Sequence, residues 1–462
     1  MSTKHQQIRL LALTTVLVLS TRLTFGQPST GATLGMIPGM GTNGPAIRIT
    51  DPGNYVWVLQ RSTDLTNWSE IAPIKLHNGN YRFSVPAASP SLFRAIFLPA
   101  RQTISSQLTN ALLLPSTPFN YSFPALPPSF SINPILDQDN MPATNVTTDA
   151  GAALGRVLFY DKRLSTNQTV SCSSCHLQAN GFSDPRRFSV GFNGGLTGRN
   201  SMGLSNARWY QRIKFFWDER AATLEDQTLR PIQDSLEMGM TLPALTNRLA
   251  AEPFYTNLFA QTFGTTEITS ERISRALAQF IRSIVSVQSK YDAGVPVNFT
   301  NLTTQENLGR QIFFGQGTFA HVTCARCHGT DNFVPGGGIF NNGLENPYVD
   351  KGVGALTSQP QDEGLFKVPS LRNIELTAPY MHDGRFSTLE QVVEFYDSGV
   401  VAHPNLSPPL RVPPGNGPAS GTPVRLNLTP QQKAALVAFM KTLTDPNLAT
   451  DPKFSDPFNY GN

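Results

Sequence analysis

Cys172-Ser-Ser-Cys175-His176 and Cys324-Ala-Arg-Cys327-His328 together contain every cysteine of the 462-residue chain. Cys-X-X-Cys-His is the spacing at which c-type haem attaches. One turn of backbone offers two sulfurs to the vinyl groups, and the histidine that follows faces the iron as proximal ligand. A four-cysteine zinc site brings its pairs within about 15–20 residues of each other, whereas these pairs stand at 172–175 and 324–327. Two local disulfides would leave the histidine after each pair unexplained. The pattern implies two covalently bound haem c groups, held by Cys172, Cys175, Cys324 and Cys327, with His176 and His328 as iron ligands.

Outward from the motifs the chain repeats itself. Ala153-Leu-Gly-Arg-Val-Leu-Phe159 precedes the first and Asn307-Leu-Gly-Arg-Gln-Ile-Phe-Phe314 the second. Arg156 lies 16 residues before Cys172, and Arg310 lies 14 before Cys324. Each segment reads as a helix leading into a haem loop, so two cytochrome c-like lobes are expected. Thr269 caps a run with Ile273, Leu277, Phe280, Ile281 and Ile284 on one face. Thr429-Pro430-Gln431-Gln432 is a capping box with proline at the first helical position, ahead of Leu436, Phe439, Met440 and Leu443.

The N-terminal third reads differently. Lys4 and Arg9 precede the apolar stretch Leu10–Leu19, and Thr24 and Gly26 suit a cut before Gln27, the pattern of a secretory signal peptide. An uncleaved anchor is the alternative, given Arg22 near the cut. Export to the periplasm or beyond agrees with haem c. Tyr55–Gln60, Trp68–Ile74, Tyr81–Val85 and Leu92–Leu98 are β-rich runs separated by turn residues, as in a small antiparallel module. It carries no catalytic constellation and reads as accessory or adhesive. Pro115, Pro118, Pro124, Pro127 and Pro128 mark an extended linker. The fold class expected is mainly α, two haem lobes preceded by a small all-β module. The plan is a signal peptide over 1–26, the β module over 27–100, the linker over 101–132, a first haem domain over 133–300, a second over 301–445 and a tail over 446–462.

Charged residues make up 15% of the chain, against about 25% in typical domains, with 36 Gly and 36 Pro. This suits long ordered loops around cofactors. The net charge of +4 is spread without a basic run, which excludes a nucleic-acid binder.

A haem catalyses or conducts according to its sixth ligand. Beyond the motifs only His5, His77, His321, His382 and His403 remain, and none stands close after the first motif. The first haem is therefore the candidate for an open face.

Between the motifs lie Gly198-Arg-Asn-Ser201, Phe216-Trp-Asp-Glu-Arg-Ala-Ala-Thr-Leu-Glu-Asp-Gln227 and Leu236-Glu-Met-Gly239. After the second comes Val368-Pro-Ser-Leu-Arg-Asn-Ile-Glu-Leu-Thr-Ala-Pro-Tyr-Met-His-Asp-Gly384. With the haem motifs, these stretches resemble the bacterial di-haem cytochrome c peroxidase and MauG family over roughly residues 133–445. The resemblance implies Glu237 as the distal carboxylate that moves a proton during O–O cleavage, in a pocket shaped by Gln227 and Pro231. It implies Trp217 as the indole between the haems, and Asn200, Thr377 and Pro379 as holders of one calcium ion through neutral oxygens.

Two positions depart from or choose within that pattern. Where the reductively activated peroxidases carry a histidine in the loop after the first motif, this chain has Phe192, which cannot ligate iron; the first haem is expected open without prior reduction. For the second haem the peroxidases use a methionine and MauG a tyrosine, and the corresponding offset lands on Tyr396. A phenolate stabilises ferric iron where a thioether raises the potential. Met381 is the competing ligand, and His382 is expected to support the haem edge or a propionate.

The implied activity is reduction of hydrogen peroxide at the first haem, with electrons relayed by the second from a small redox protein, a cytochrome c or cupredoxin. A MauG-like oxidase drawing electrons from a partner protein is the close alternative. A plain two-haem carrier and an oxygenase acting on an organic polymer are further ones. A homodimer is left open.

Overall fold

In the computed structural model the described residues are 111–322, 324–335, 338–412 and 422–460, together with the backbone of seven strand segments between 16 and 98. Segments Val56–Ser62, Ser69–Ile74, Asn80–Ser84 and Ser91–Leu98 coincide with runs read as strands. The turns and side chains of the expected β module, and the expected signal peptide apart from the strand backbone Val16–Val18, lie outside the described residues. The chain divides into one compact unit of Met1–Ile104, Pro115–Phe123 and Met141–Ala150 and a second of Ser105–Leu114, Pro124–Asn140 and Gly151–Asn462. The second, mostly helical unit carries both motifs.

Its two lobes are built on one theme. The helix Asp149–Tyr160 carries Gly155, and a Cβ there would lie 2.0 Å from the Ala276 carbonyl oxygen and 2.7 Å from Phe280 Cβ. The helix Thr304–Phe313 carries Gly309, where a Cβ would lie 1.9 Å from the Ala435 oxygen and 2.8 Å from Phe439 Cβ. The partners sit on Ser270–Ser283 and Pro430–Lys441, both capped by the threonines read from sequence, Thr269 and Thr429. Each lobe thus crosses the helix ahead of its motif over a later helix at a glycine, because only a missing side chain lets the backbones approach so closely. The repeated Leu-Gly-Arg is the trace of this crossing.

Aromatic side chains fill both cores. Phe159 meets Phe182 and Phe280 in the first lobe, and Phe313, Phe333 and Phe439 meet one another in the second. Such rings bury the largest apolar areas available to a side chain. Ile339–Phe340 and Phe366–Lys367 pair as a two-stranded antiparallel ladder, with Lys367 donating its backbone N–H to the Trp217 carbonyl at 2.7 Å.

Two segments pack more firmly than their composition suggests. The end of the proline-rich stretch makes a short 3-10 turn at Pro128–Ser131, and Phe130 packs edge-on against buried Trp209 at 4.8 Å. Residues read as a tail lie against the first lobe. Arg156 donates to the carbonyls of Pro452 and Lys453 (2.9 and 3.1 Å), Tyr160 Oη donates to the Phe454 carbonyl at 2.7 Å, and buried Phe454 meets Phe182 and Phe280.

Candidate di-haem site

Both motifs form a single turn. The His176 N–H donates to the Cys172 carbonyl at 3.0 Å and that of His328 to the Cys324 carbonyl at 2.9 Å, which stacks two sulfurs and a ring on one surface. None of the four cysteines is in a disulfide. His176 Nδ1 donates to the Phe182 carbonyl at 2.8 Å, and His328 Nδ1 to the Phe333 carbonyl at 3.1 Å. Each bond fixes the tautomer that leaves Nε2 with its lone pair. Burial lowers the pKa of both imidazoles, that of His328 to about 4, so they are neutral, the form that binds metal. Phe182 and Phe333 hold left-handed backbone, φ 61° and 54°. For a bulky side chain that is a strained state, kept by the surrounding packing, and it turns each carbonyl to its histidine.

A cavity of about 440 Å³ adjoins the first motif, walled by Cys172, Cys175 and His176 on one side and by Gln227, Pro231 and Glu237 on another. Paired thiols, a neutral imidazole held through Nδ1 and a largely apolar cavity fit a covalently attached haem. The second motif offers the same donor set in the second lobe.

Glu237 stands half-buried in that wall. Burial first, and then the charge of Asp234, push its carboxyl up from 4.5 to about 7, while Arg220 pulls the other way. Gln227 and Pro231 share the helix Leu224–Gln233, capped by Thr223. The sequence reading and the structure thus bring Glu237, Gln227, Pro231 and His176 to one cavity. Phe192 is turned elsewhere: its N–H donates to the Glu237 carbonyl at 3.0 Å, and its ring lies where a Cβ on Gly239 would be.

Trp217 also lines the cavity, in a tight loop where Phe216 and Glu219 both have positive φ. Its Nε1 donates to the Asn200 carbonyl at 2.9 Å. Its ring lies 6.4 Å from that of His382, which stacks on Phe366 at 3.9 Å and 14°. Trp217, Met381 and Tyr396 all pack on the cluster of Leu344, Tyr348, Phe366 and Phe395. Buried His382 sits 3.9 Å from Asp350, and burial lowers its pKa despite that carboxylate. Arg199 joins Asp218 at 2.6 Å to Asp350 at 2.6 Å and so ties the Trp217 loop to the second lobe.

Tyr396 occupies a π-helical turn, Phe395–Gly399, following the helix Leu389–Glu394. Such turns re-aim a side chain out of helical register. Burial raises its phenol far above the ordinary value, and the thiols of Cys327 and Cys324 add to the rise, which places it beside the second motif. Asn342 hydrogen-bonds Tyr396 and also donates to Met381 Sδ at 3.5 Å, so both candidate ligands meet one amide. Of the positions read as calcium ligands, Asn200 donates its side-chain amide to the carbonyls of Arg186 and Arg187 (3.1 and 3.3 Å), and Thr377 donates to the Ile374 carbonyl. Pro379 follows a cis peptide bond. Among the described residues no group of three acidic, histidine or cysteine side chains could hold a metal ion.

Sequence reasoning missed several cavity residues. Met202, Met238, Tyr210 and Lys367 line the same walls; none lies in a motif of fixed spacing, so only the fold brings them there. Arg372, in the Val368–Gly384 stretch, was also silent. It is fully buried, pairs in two bonds of 2.8 Å with Asp292, and donates to the carbonyl of Asp331 beside the His328 loop.

Fold and donor groups define a two-haem c-type cytochrome with one haem pocket walled by a carboxyl group. The comparisons narrow the class: the chain belongs to the family of di-haem cytochrome c peroxidases and MauG proteins. The family model described as di-haem cytochrome c peroxidase matches residues 149–296. Methylamine utilization protein MauG of Methylorubrum extorquens is 32% identical over 315 residues, 68% of this chain and 83% of that protein. Cytochrome c551 peroxidase of Nitrosomonas europaea is 36% identical over 247 residues, 53% of this chain and 71% of that protein. Among solved structures, a MauG-like protein associated with microbial copper homeostasis superposes with a TM-score of 0.61 at 34% identity, covering 72% of this chain and 99% of that one.

Proposed function

We propose that the protein is an exported di-haem peroxidase that reduces hydrogen peroxide at its first haem, with the second haem relaying electrons from a small redox protein. The observation that carries this reading is Glu237, a carboxyl titrating near neutrality in the wall of the cavity that holds His176.

When bound, the haems supply the redox-active iron that passes two electrons to peroxide. The chain does the rest. His176, oriented by the Phe182 carbonyl, holds the proximal side. Glu237 would take a proton from one peroxide oxygen and return it to the other, which leaves as water; a carboxyl with a pKa near 7 is suited to both halves of that transfer. Gln227 and Pro231 limit the space around it. Trp217, bonded to Asn200 and facing His382, connects the cavity to the aromatic cluster of the second lobe. There Tyr396 would hold the second iron together with His328, with Met381 as the alternative to Tyr396. In the first pocket Phe192 has no donor atom and packs on Gly239, so it would not hold the iron. A calcium ion held by Asn200, Thr377 and Pro379 belongs to this reading as a brace between the segments that carry Trp217 and His382.

Electron paramagnetic resonance of the ferric holoprotein tests the open site. A high-spin signal from one haem is expected, with a second, low-spin signal that Tyr396→Phe abolishes or shifts and Met381→Leu leaves alone. Two low-spin signals unaffected by cyanide would refute it, and would point to a side chain such as Met238 closing the pocket. Steady-state peroxide reduction with a reduced cytochrome c completes the test. The position of Tyr396 beside the second motif favours one second reading, oxidation of residues on a partner protein. It predicts slow turnover with small donors and fast reduction by that partner.

A further inference from the structure

Lys367 is a buried amine without a counter-ion, and burial lowers its pKa to about 7, a shift that a neighbouring anion would reverse. Its side chain is 7% exposed, and among the described residues no carboxylate lies within ion-pair distance of Nζ. Nζ makes one hydrogen bond, to the Lys214 carbonyl at 3.3 Å, and lies over the rings of Tyr210 at 3.8 Å and Phe215 at 4.5 Å. Glu219 is the acidic group that acts on it electrostatically, but Tyr210 and Arg212 already occupy that carboxylate. An ammonium has three donors. Ring faces compensate its charge only partly, and a well-placed anion would offset part of the cost of burying it.

The residue also faces the right place. Lys367 lines the cavity of the first motif together with Trp217 and Val368, and its backbone is pinned to the Trp217 carbonyl at 2.7 Å. Haem carries two propionate carboxylates, and a pocket that binds it must neutralise whichever one it encloses. We propose that Lys367 is the anion-binding residue of this cavity and pairs with a propionate of the haem attached at Cys172 and Cys175. The inference rests on haem occupying that cavity and is independent of what the haem reacts with.

With the ammonium beside it, the propionate stays ionised across the neutral range, and the midpoint potential of the first haem is flat with pH. In Lys367→Met the same carboxylate, buried and unpaired, holds its proton to higher pH. At low pH cation and anion are lost together and the midpoint matches that of the wild type. As pH rises the new negative charge favours ferric iron, so the midpoint falls. Lys367→Arg keeps the cation and should stay flat. Spectroelectrochemistry of the holoprotein between pH 5.5 and 8.5 reads this without turnover, and the second haem serves as internal control. A Lys367→Met protein that loses the first haem while Lys367→Arg retains it would equally support the pairing. Full haem content with a midpoint that tracks the wild type at every pH would overturn it. So would a saturable optical change on adding formate to the wild type that Lys367→Met lacks, since the lysine would then be free to take a dissolved carboxylate.

Discussion

Replacing Glu237 with Gln removes a titrating proton while keeping size and hydrogen-bonding capacity. With its pKa at about 7, the wild-type carboxyl is about one-tenth ionised at pH 6 and about nine-tenths at pH 8. If the ionised form accepts the peroxide proton, the second-order rate of peroxide reaction rises about tenfold between those two values, with its midpoint near 7. An ordinary exposed glutamate, titrating near 4.5, would give a flat profile there. Glu237→Gln should lower the rate by about 10²–10⁴, the usual worth of a general acid–base group, and abolish the pH dependence. Stopped-flow mixing of the holoprotein with peroxide, followed in the Soret band, measures both. Stability gives an independent check. The folded chain holds this proton more tightly than the unfolded chain does, so the carboxyl costs nothing below pH 4.5, destabilises progressively from 4.5 to about 7, and is constantly unfavourable above that. The shift corresponds to about 3 kcal/mol at most, less because the side chain is only half-buried. Glu237→Gln should therefore gain stability relative to wild type at pH 8 and not at pH 4.5. A flat wild-type rate profile, or a variant within about threefold of it, would remove Glu237 from the proton transfer.

Gly155→Ala and Gly309→Ala should each destabilise by about 1–3 kcal/mol or more, because the added methyl meets a backbone oxygen rather than a movable side chain; separate Soret-detected melts should show the damage confined to the first and second haem respectively. Arg372→Leu leaves the Asp292 carboxylate buried without its partner and should cost about 3–5 kcal/mol, read by denaturant titration; a loss below about 1 kcal/mol would contradict the pairing. Trp217→Leu should slow electron passage between the haems after mixing with peroxide while both haems stay attached, and an unchanged rate would send the electrons by another route.

What could be read without the fold was whatever is local in the chain. The two haem motifs, the Thr269 and Thr429 caps and the repeated Leu-Gly-Arg each need a window of a few residues, and all correspond to structure. Glu237 was found through a family pattern rather than through its chemistry, since a lone glutamate beside Leu236 shows no burial in sequence. The contribution of Lys367 was invisible for the opposite reason. It depends on Tyr210 and Phe215, more than 150 residues earlier, supplying ring faces where a carboxylate would be expected. Phe182 and Phe333 were also unreadable, because a left-handed phenylalanine is imposed by packing and contradicts local preference. The close of the chain, poor in periodicity, gave no sign that Leu448 and Phe454 are buried.

That last stretch has a consequence for inheritance and for engineering. The ring of Phe454 leans on Phe182, whose carbonyl steers the imidazole of His176, and Gln178 in the same loop donates to the carbonyls of Leu448 and Asp451, both at 3.0 Å. Leu448, Asp451 and Phe454, far along the chain from the first motif, therefore brace the loop that steers His176. A chain truncated before them would carry both attachment motifs yet lack the side chains that hold the first loop in place.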